Sequence, residues 1–311
     1  MNAVANLPVL STSSGYSMLE FEYVPEQKTL FSWMKPTPRA CFSATLLEQI
    51  RESETLLQLH RGRVNHEGQP RDVAHVVCGS RVSGVFNLGG DLGMFVQAIL
   101  RQDRQLLSYY AHLCVDNQMR RHRGFECGIA TVALVQGKAL GGGFECALAC
   151  HTIVAERSAT MALPETLFNL FPGMGALSFL GRRIGLRKAE QLIVSGATFT
   201  ASDLHDLGVI DEVVEDGMGV ESVKTLLQQR HKRQNTFRSL AEAKLAYHTV
   251  TREELERIVD VWVEGALRLE SRDLKMMTRL VRAQDKLTKM SPEDQAIEQM
   301  YSPPPTKLHA A

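Results

Sequence analysis

A chain of 311 residues, 44% of them hydrophobic, is long enough for one large core or for a core plus a small helical domain. Its 35 basic and 35 acidic side chains balance, which removes any global pull toward nucleic acid or an anionic membrane surface. No apolar run reaches the roughly 20 residues of a spanning helix, the start lacks the regions of a signal peptide, and the cytoplasm is the expected compartment.

Residues 1–15, with the run Ser11-Thr-Ser-Ser14, read as a flexible lead. Residues 18–23 and 29–33 read as strands joined by the turn Val24-Pro-Glu-Gln-Lys28, a hairpin that opens the fold. Apolar spacing predicts helices over 42–58 and 101–120, with a loop over 61–71 and an apolar strand over 73–78 between them. The strand leads to Gly84-Val-Phe-Asn-Leu-Gly-Gly-Asp-Leu92, a glycine-containing loop before a helix. A second apolar strand runs from Ala133 toward three consecutive glycines, Gly141 to Gly143, and a helix begins at once with Glu145 in its first turn.

Backbone N–H groups at a helix start are unpaired and carry the positive end of the helix dipole, and glycines let a ligand oxygen approach them. Such a turn can hold an oxyanion. Glu165 follows Pro164 on a segment that can fold back beside the first. Two carboxyl groups facing one polarised carbonyl can divide general acid and base work, and a close pair titrates as a coupled unit. Taken singly, each signature is also that of a tight turn or an ordinary helix start.

Six cysteines, at 41, 78, 114, 127, 146 and 150, lie mostly in apolar segments and are expected as reduced, buried thiols. Cys146, Cys150 and His151 lack a second ligand pair and read as core packing, so neither a metal nor a cofactor is expected. Alternating strands and helices over 16–215 indicate a mostly parallel sheet covered by helices. Residues 216–300 change to charged amphipathic helices over 220–232, 236–247, 252–270 and 274–288. The ending 301–311, with Ser302-Pro-Pro-Pro, reads as a flexible tail.

The order strand, Phe-x-x-Gly-Gly-Asp-Leu loop, helix, strand, Gly-Gly-Gly-Phe-Glu helix, strand, Pro-Glu resembles the crotonase (enoyl-CoA hydratase/isomerase) superfamily. Phe171-Pro-Gly-Met-Gly-Ala176 and the element from Ala201 to Val214 are similar to two further family motifs. The resemblance implies an α/β fold, a spiral of ββα units whose C-terminal helices cover an acyl pocket and pack in a trimer or a pair of trimers. It implies an oxyanion hole for a thioester carbonyl from the N–H groups of Gly90 and Gly142, with Glu145 and Glu165 acting on water and the α-proton. Leu88, Leu140, Gly141, Phe171, Met174 and Trp262 are then expected to bind the substrate, and residues 167–179 to line an apolar tunnel.

Segments outside these motifs, among them Pro38-Arg-Ala-Cys-Phe-Ser43, Cys150 to Glu156, Val261-Trp-Val-Glu-Gly-Ala266 and Leu280-Val-Arg-Ala-Gln284, are similar to the bacterial diffusible signal factor synthases. That narrower resemblance implies dehydration of a 3-hydroxyacyl chain on acyl carrier protein to the cis-2-enoyl thioester, then hydrolysis to a free cis-2-unsaturated fatty acid signal. It also implies acyl carrier protein, or CoA, as the acyl donor and a sensor kinase or similar regulator as a further partner. An ordinary enoyl-CoA hydratase would keep the same glutamates and glycines. A non-catalytic partner of a signal sensor would have no need of them.

Overall fold

Aromatic and β-branched residues pair β1 (Leu19–Val24) with β2 (Thr29–Met34) as an antiparallel hairpin. In the computed structural model, which describes residues 8–289, this hairpin is the edge of a six-stranded sheet ordered β1-β2-β5-β7-β9-β12. Residues 1–7 of the expected lead, residues 290–300 and the expected tail lie outside the described residues.

Ser43 caps α1 (Ala44–Leu59) by accepting from Leu46 N–H, and the chain then forms a small hairpin, β3 (Arg63–His66) and β4 (Gln69–Asp72). This corrects the loop expected over 61–71. The two-residue turn Glu67-Gly68 has positive φ at both positions, as a tight hairpin requires, but glutamate is not a residue that advertises such a turn. The expected flexible lead is corrected for residues 8–15 as well. Leu10 is 2% exposed in the core, Asn65 N–H donates to its carbonyl at 2.8 Å, and Ser11 bridges to Asn65 beside the hairpin.

From here the chain repeats one move. The first strand of each unit enters the large parallel sheet, the second enters a smaller one, and a helix or turn follows. Thus β5 (His75–Ser80), β7 (Ala130–Val135) and β9 (Thr152–Glu156) are buried along nearly their whole length, as parallel strands covered on both faces are. Their companions β6 (Gly84–Asn87), β8 (Gly137–Leu140) and β10 (Thr160–Ala162) lie side by side and parallel in the second sheet.

After β6 come α2 (Leu92–Leu100), capped by Asp91, and α3 (Arg104–His122), capped by Asp103. After β8 comes α4 (Gly142–Leu148). After β10 come a 3-10 turn (Pro164–Phe168), α5 (Ala176–Ile184) and α6 (Leu186–Ser195). β11 (Thr198–Thr200) closes the small sheet antiparallel to β10, α7 (Ala201–Asp206) starts with a capping box from Thr200 and Asp203, and β12 (Glu212–Val214) extends the large sheet beside β9.

The helical region that follows comprises α8 (Gly219–His231), α9 (Gln234–Tyr247), α10 (Arg252–Leu267) and α11 (Ser271–Lys289). Of these, α10 packs along α3, and α11 along α2 and the 3-10 turn Pro164–Phe168. Among the described residues no helix is long and apolar enough to cross a membrane.

Candidate active site

Because β6, β8 and β10 are adjacent and parallel, the loops that leave their C-terminal ends meet at one place. Each loop carries part of the expected site: Gly89-Gly90 after β6, Gly141-Gly142 and Glu145 after β8, Glu165 after β10. The first two approach so closely that a β-carbon on Gly89, at φ +89°, would fall 2.7 Å from Leu140 O. Gly141, at φ +50°, leaves room for Glu165, whose Oε1 would lie 2.3 Å from a β-carbon there. Gly142 differs, since a β-carbon there would fit without clash, 3.6 Å from Gly90 N and 3.7 Å from the Phe42 ring.

Glu145 is 1% exposed, and its Oε1 accepts the N–H of Met174 at 2.8 Å and of Ala176 at 3.0 Å. Glu165 is half-buried as a residue, but its carboxyl end turns inward and Oε2 is buried without a partner. Burial pushes Glu145 up to about 7, against the pull of its two N–H donors. Burial, and then the charge of Glu145, push Glu165 up to about 8. No described cation pairs with either. Arg121, a buried guanidinium, is held by Glu54 at 2.6 Å and by Cys146 Sγ at 2.6 Å.

Both carboxyls face a cavity walled mainly by Phe42, Leu92, Phe95, Phe168, Met174 and Trp262, with Asn117, Gln118 and Arg121 at its polar end. Trp262 comes from α10, lies over Gly173 and meets Phe95 edge-on at 5.3 Å. Phe95 in turn meets Tyr110 at 4.9 Å, and Tyr110 donates to Phe42 O at 2.6 Å. A helix beyond the core thus closes the site.

Of the residues expected to bind substrate, Met174 and Trp262 line this cavity and Gly141 lies against Glu165. Three expectations are corrected. Leu88 and Leu140 turn away into a small cluster with Ala40 and Val85, and Phe171 faces a separate surface depression beside Val261 and Gly265. Cys146 and Cys150 are buried in the core, each 2% exposed, and His151 is held by the backbone. Thr131 N–H donates to His151 Nδ1 at 3.0 Å, so Nε2 carries the proton and donates to His122 O at 2.8 Å.

Two residues at the site stand inside stretches quoted from the sequence, but are given no role of their own there. Asp91 caps α2 directly after Gly90 and pairs with Arg39 at 3.6 Å. Gln284 of α11, 5% exposed, donates from Nε2 to Leu88 O at 2.9 Å and to Gly90 O at 3.1 Å. The available signal was its place in the buried stripe Leu274, Met277, Gln284, where a lone amide interrupts apolar residues.

The family model for enoyl-CoA hydratase/isomerase matches residues 65–265, more than half of the chain. The chain belongs to that family. It is 31% identical over 191 residues to the peroxisomal bifunctional enzyme of Homo sapiens, covering 61% of this chain and 23% of that protein. It is 33% identical over 185 residues to enoyl-CoA hydratase domain-containing protein 2, mitochondrial, of Homo sapiens, covering 58% of this chain and 56% of that one. The match therefore spans between about a quarter and just over half of these two relatives. Enoyl-CoA hydratase from Bacillus halodurans superposes with a TM-score of 0.70 at 22% identity, over 85% of this chain and 100% of that one. DspI of Pseudomonas aeruginosa superposes with a TM-score of 0.62 at 23% identity, over 79% and 95%. The fold is the expected α/β crotonase-like one.

Two outcomes follow from the geometry. Gly142→Ala should fold with a melting temperature close to wild type yet lose about 100-fold or more in kcat, because the methyl group occupies the space of an oxyanion. A loss of fold, or retained turnover, would contradict that placement. The carboxyl pair also makes stability depend on pH. Both groups keep protons in the fold at pH values where the unfolded chain, near 4.5, has released them, so their contribution is full below about 4.5 and is lost as pH rises toward 8. Glu165→Gln should therefore gain about 1–3 kcal/mol over wild type on going from about pH 5 to about pH 8.5 in urea titrations. A difference that does not change with pH would contradict it.

Proposed function

We propose that the protein adds water to, or removes it from, the α and β carbons of an acyl thioester whose carbonyl oxygen rests on Gly90 and Gly142 N–H. The observation that carries this reading is the pair of buried, cation-free carboxyls beside those two loops. One shared proton is what the reaction needs. In the hydration direction Glu145, first to ionise because two N–H groups hold it, takes a proton from water as the oxygen bonds to Cβ. Glu165 gives its proton to Cα, and the electrons that passed onto the carbonyl oxygen return. Dehydration is the reverse, with the proton starting on Glu145 and the α-proton leaving to Glu165.

In its finer form the proposal is a diffusible signal factor synthase, a cytoplasmic 3-hydroxyacyl carrier protein dehydratase that then hydrolyses the cis-2-enoyl thioester. Support comes from the stretches at 38–43, 261–266 and 280–284, which lie outside the motifs shared by the whole family and resemble those synthases. For hydrolysis a carboxylate takes a proton from water, the new hydroxyl bonds to the carbonyl carbon, the C–S bond breaks, and the sulfur leaves with the proton. The same two N–H groups hold the oxygen in both steps. Acyl carrier protein is the proposed donor, and a sensor-type regulator a second partner. A trimer or hexamer is supported by α9, which exposes Phe237, Leu240 and Tyr247 at 39%, 50% and 82%. The similarity to enoyl-CoA hydratase domain-containing protein 2 favours a second reading, an enoyl-CoA hydratase acting on CoA thioesters with no release of free acid.

Mass spectrometry of products separates the two. Purified protein with a medium-chain 3-hydroxyacyl carrier protein should yield free cis-2-enoic acid. A reversible trans-2-enoyl-CoA with no free acid would establish the hydratase instead, and no turnover of either thioester would refute both. Glu145→Gln and Glu165→Gln should each cut turnover by about 100- to 10,000-fold. Wild-type rate should follow a bell, rising as the first carboxyl ionises near about 7 and falling as the second loses its proton near about 8. A rate flat from about pH 5 to about pH 9 would rule out the two-carboxyl mechanism.

A further inference from the structure

An oxyanion hole works only if its donors are fixed before the charge develops. Gly142 is fixed by the helix it starts. Gly90 has no such support, because it lies in an irregular loop with glycine on its N-terminal side, and glycine has the freest backbone. The bonds that hold this loop come from two distant parts of the chain.

Gly90 N–H and Gly89 C=O are the two ends of one peptide group. Phe42 N–H donates to Gly89 O at 2.7 Å, which fixes that peptide plane and polarises its N–H. The carbonyls on either side, of Leu88 and Gly90, both accept from Gln284 Nε2, at 2.9 and 3.1 Å. Three consecutive carbonyls are therefore held, two of them by one side chain. Gly90 N–H itself donates to no described residue. The buried Gln284 Oε1 has no partner, so the amide orientation with Nε2 toward the loop is the one that makes hydrogen bonds.

The same face of α11 is anchored around Gln284. Arg39 bridges Asp285 and Asp91, and Ala40 N–H donates to Thr288 Oγ1 at 3.0 Å. Residues 39–42, which hold the loop from one side, are thus tied to the helix that holds it from the other. Leu88 N–H donates to Ala40 O at 2.7 Å and closes the circuit.

We propose that Gln284 is a positioning residue for the oxyanion hole: by holding the Leu88 and Gly90 carbonyls it sets the direction of the Gly90 N–H, and so couples turnover to the seating of the last described helix. The inference rests on the acyl-thioester reading above. Gln284 does not touch the reacting atoms, so its loss should act on transition-state charge and leave ground-state binding alone.

The test uses the full chain with a 3-oxoacyl thioester, whose enolate absorbs in the near ultraviolet and reports the charge the hole must stabilise. Gln284→Met keeps the length and removes the donor. It should raise the pH at which the bound ligand enolises by about one to two units and lower kcat about 10- to 100-fold, with KM changed less than about twofold. Gln284→Glu keeps the shape and regains a donor when protonated, so its activity relative to wild type should recover as pH falls. It also serves if the methionine variant fails to fold. Arg282→Met, exposed on the same helix, should match wild type. Enolisation and kcat unchanged in Gln284→Met, or a pH-independent ratio for Gln284→Glu, would overturn the assignment. A wild-type protein that neither binds nor enolises the ligand would instead overturn the acyl-thioester reading.

Discussion

Three parallel strands of the small sheet, β6, β8 and β10, end side by side, and everything at the site depends on that adjacency. Parallel strands send their following loops to the same edge, so one ladder brings together two backbone turns and two glutamates that lie far apart in the chain. The ladder runs to the last residue, with Gly141 N–H donating to Ala162 O at 2.8 Å. Burial in an apolar wall raises both carboxyls, and the charge of Glu145 raises Glu165 further. Confinement, and not a partner cation, is what separates one acid from one base.

The glycines serve that confinement in different ways. Gly89 and Gly141 let backbone and carboxyl approach where a side chain would collide, while Gly142 leaves open a space a side chain could enter. A structural requirement and a chemical one are thus divided among three glycines. The C-terminal helices complete the arrangement from outside the core. Trp262 walls the cavity, and Gln284 reaches the loop carbonyls from about 200 residues further along the chain.

Much of this was legible because the informative signals were local. The opening hairpin and all four C-terminal helices appear within a few residues of their expected bounds, since strand alternation and helical spacing are local signals. Glu145, Glu165, Gly90 and Gly142 line one cavity. What could not be read was direction and distance. Leu88 and Leu140 flank the right backbone but point the other way, which a one-residue difference in pleat decides. The β3–β4 hairpin escaped notice because Glu67 takes a left-handed turn without the usual residue. The buried Arg121–Glu54 pair and the reach of Gln284 join residues 67 and about 195 positions apart, and no local pattern encodes them.

The central claim is that one proton resides on the Glu145–Glu165 pair at neutral pH. Infrared difference spectroscopy of the carboxylic acid C=O stretch, on wild type and on Glu165→Gln across pH, reads it directly. The account predicts a buried acid band that persists to about pH 7 and above in wild type and changes in the variant. Complete ionisation of both carboxyls by about pH 5, the ordinary glutamate range, would contradict it.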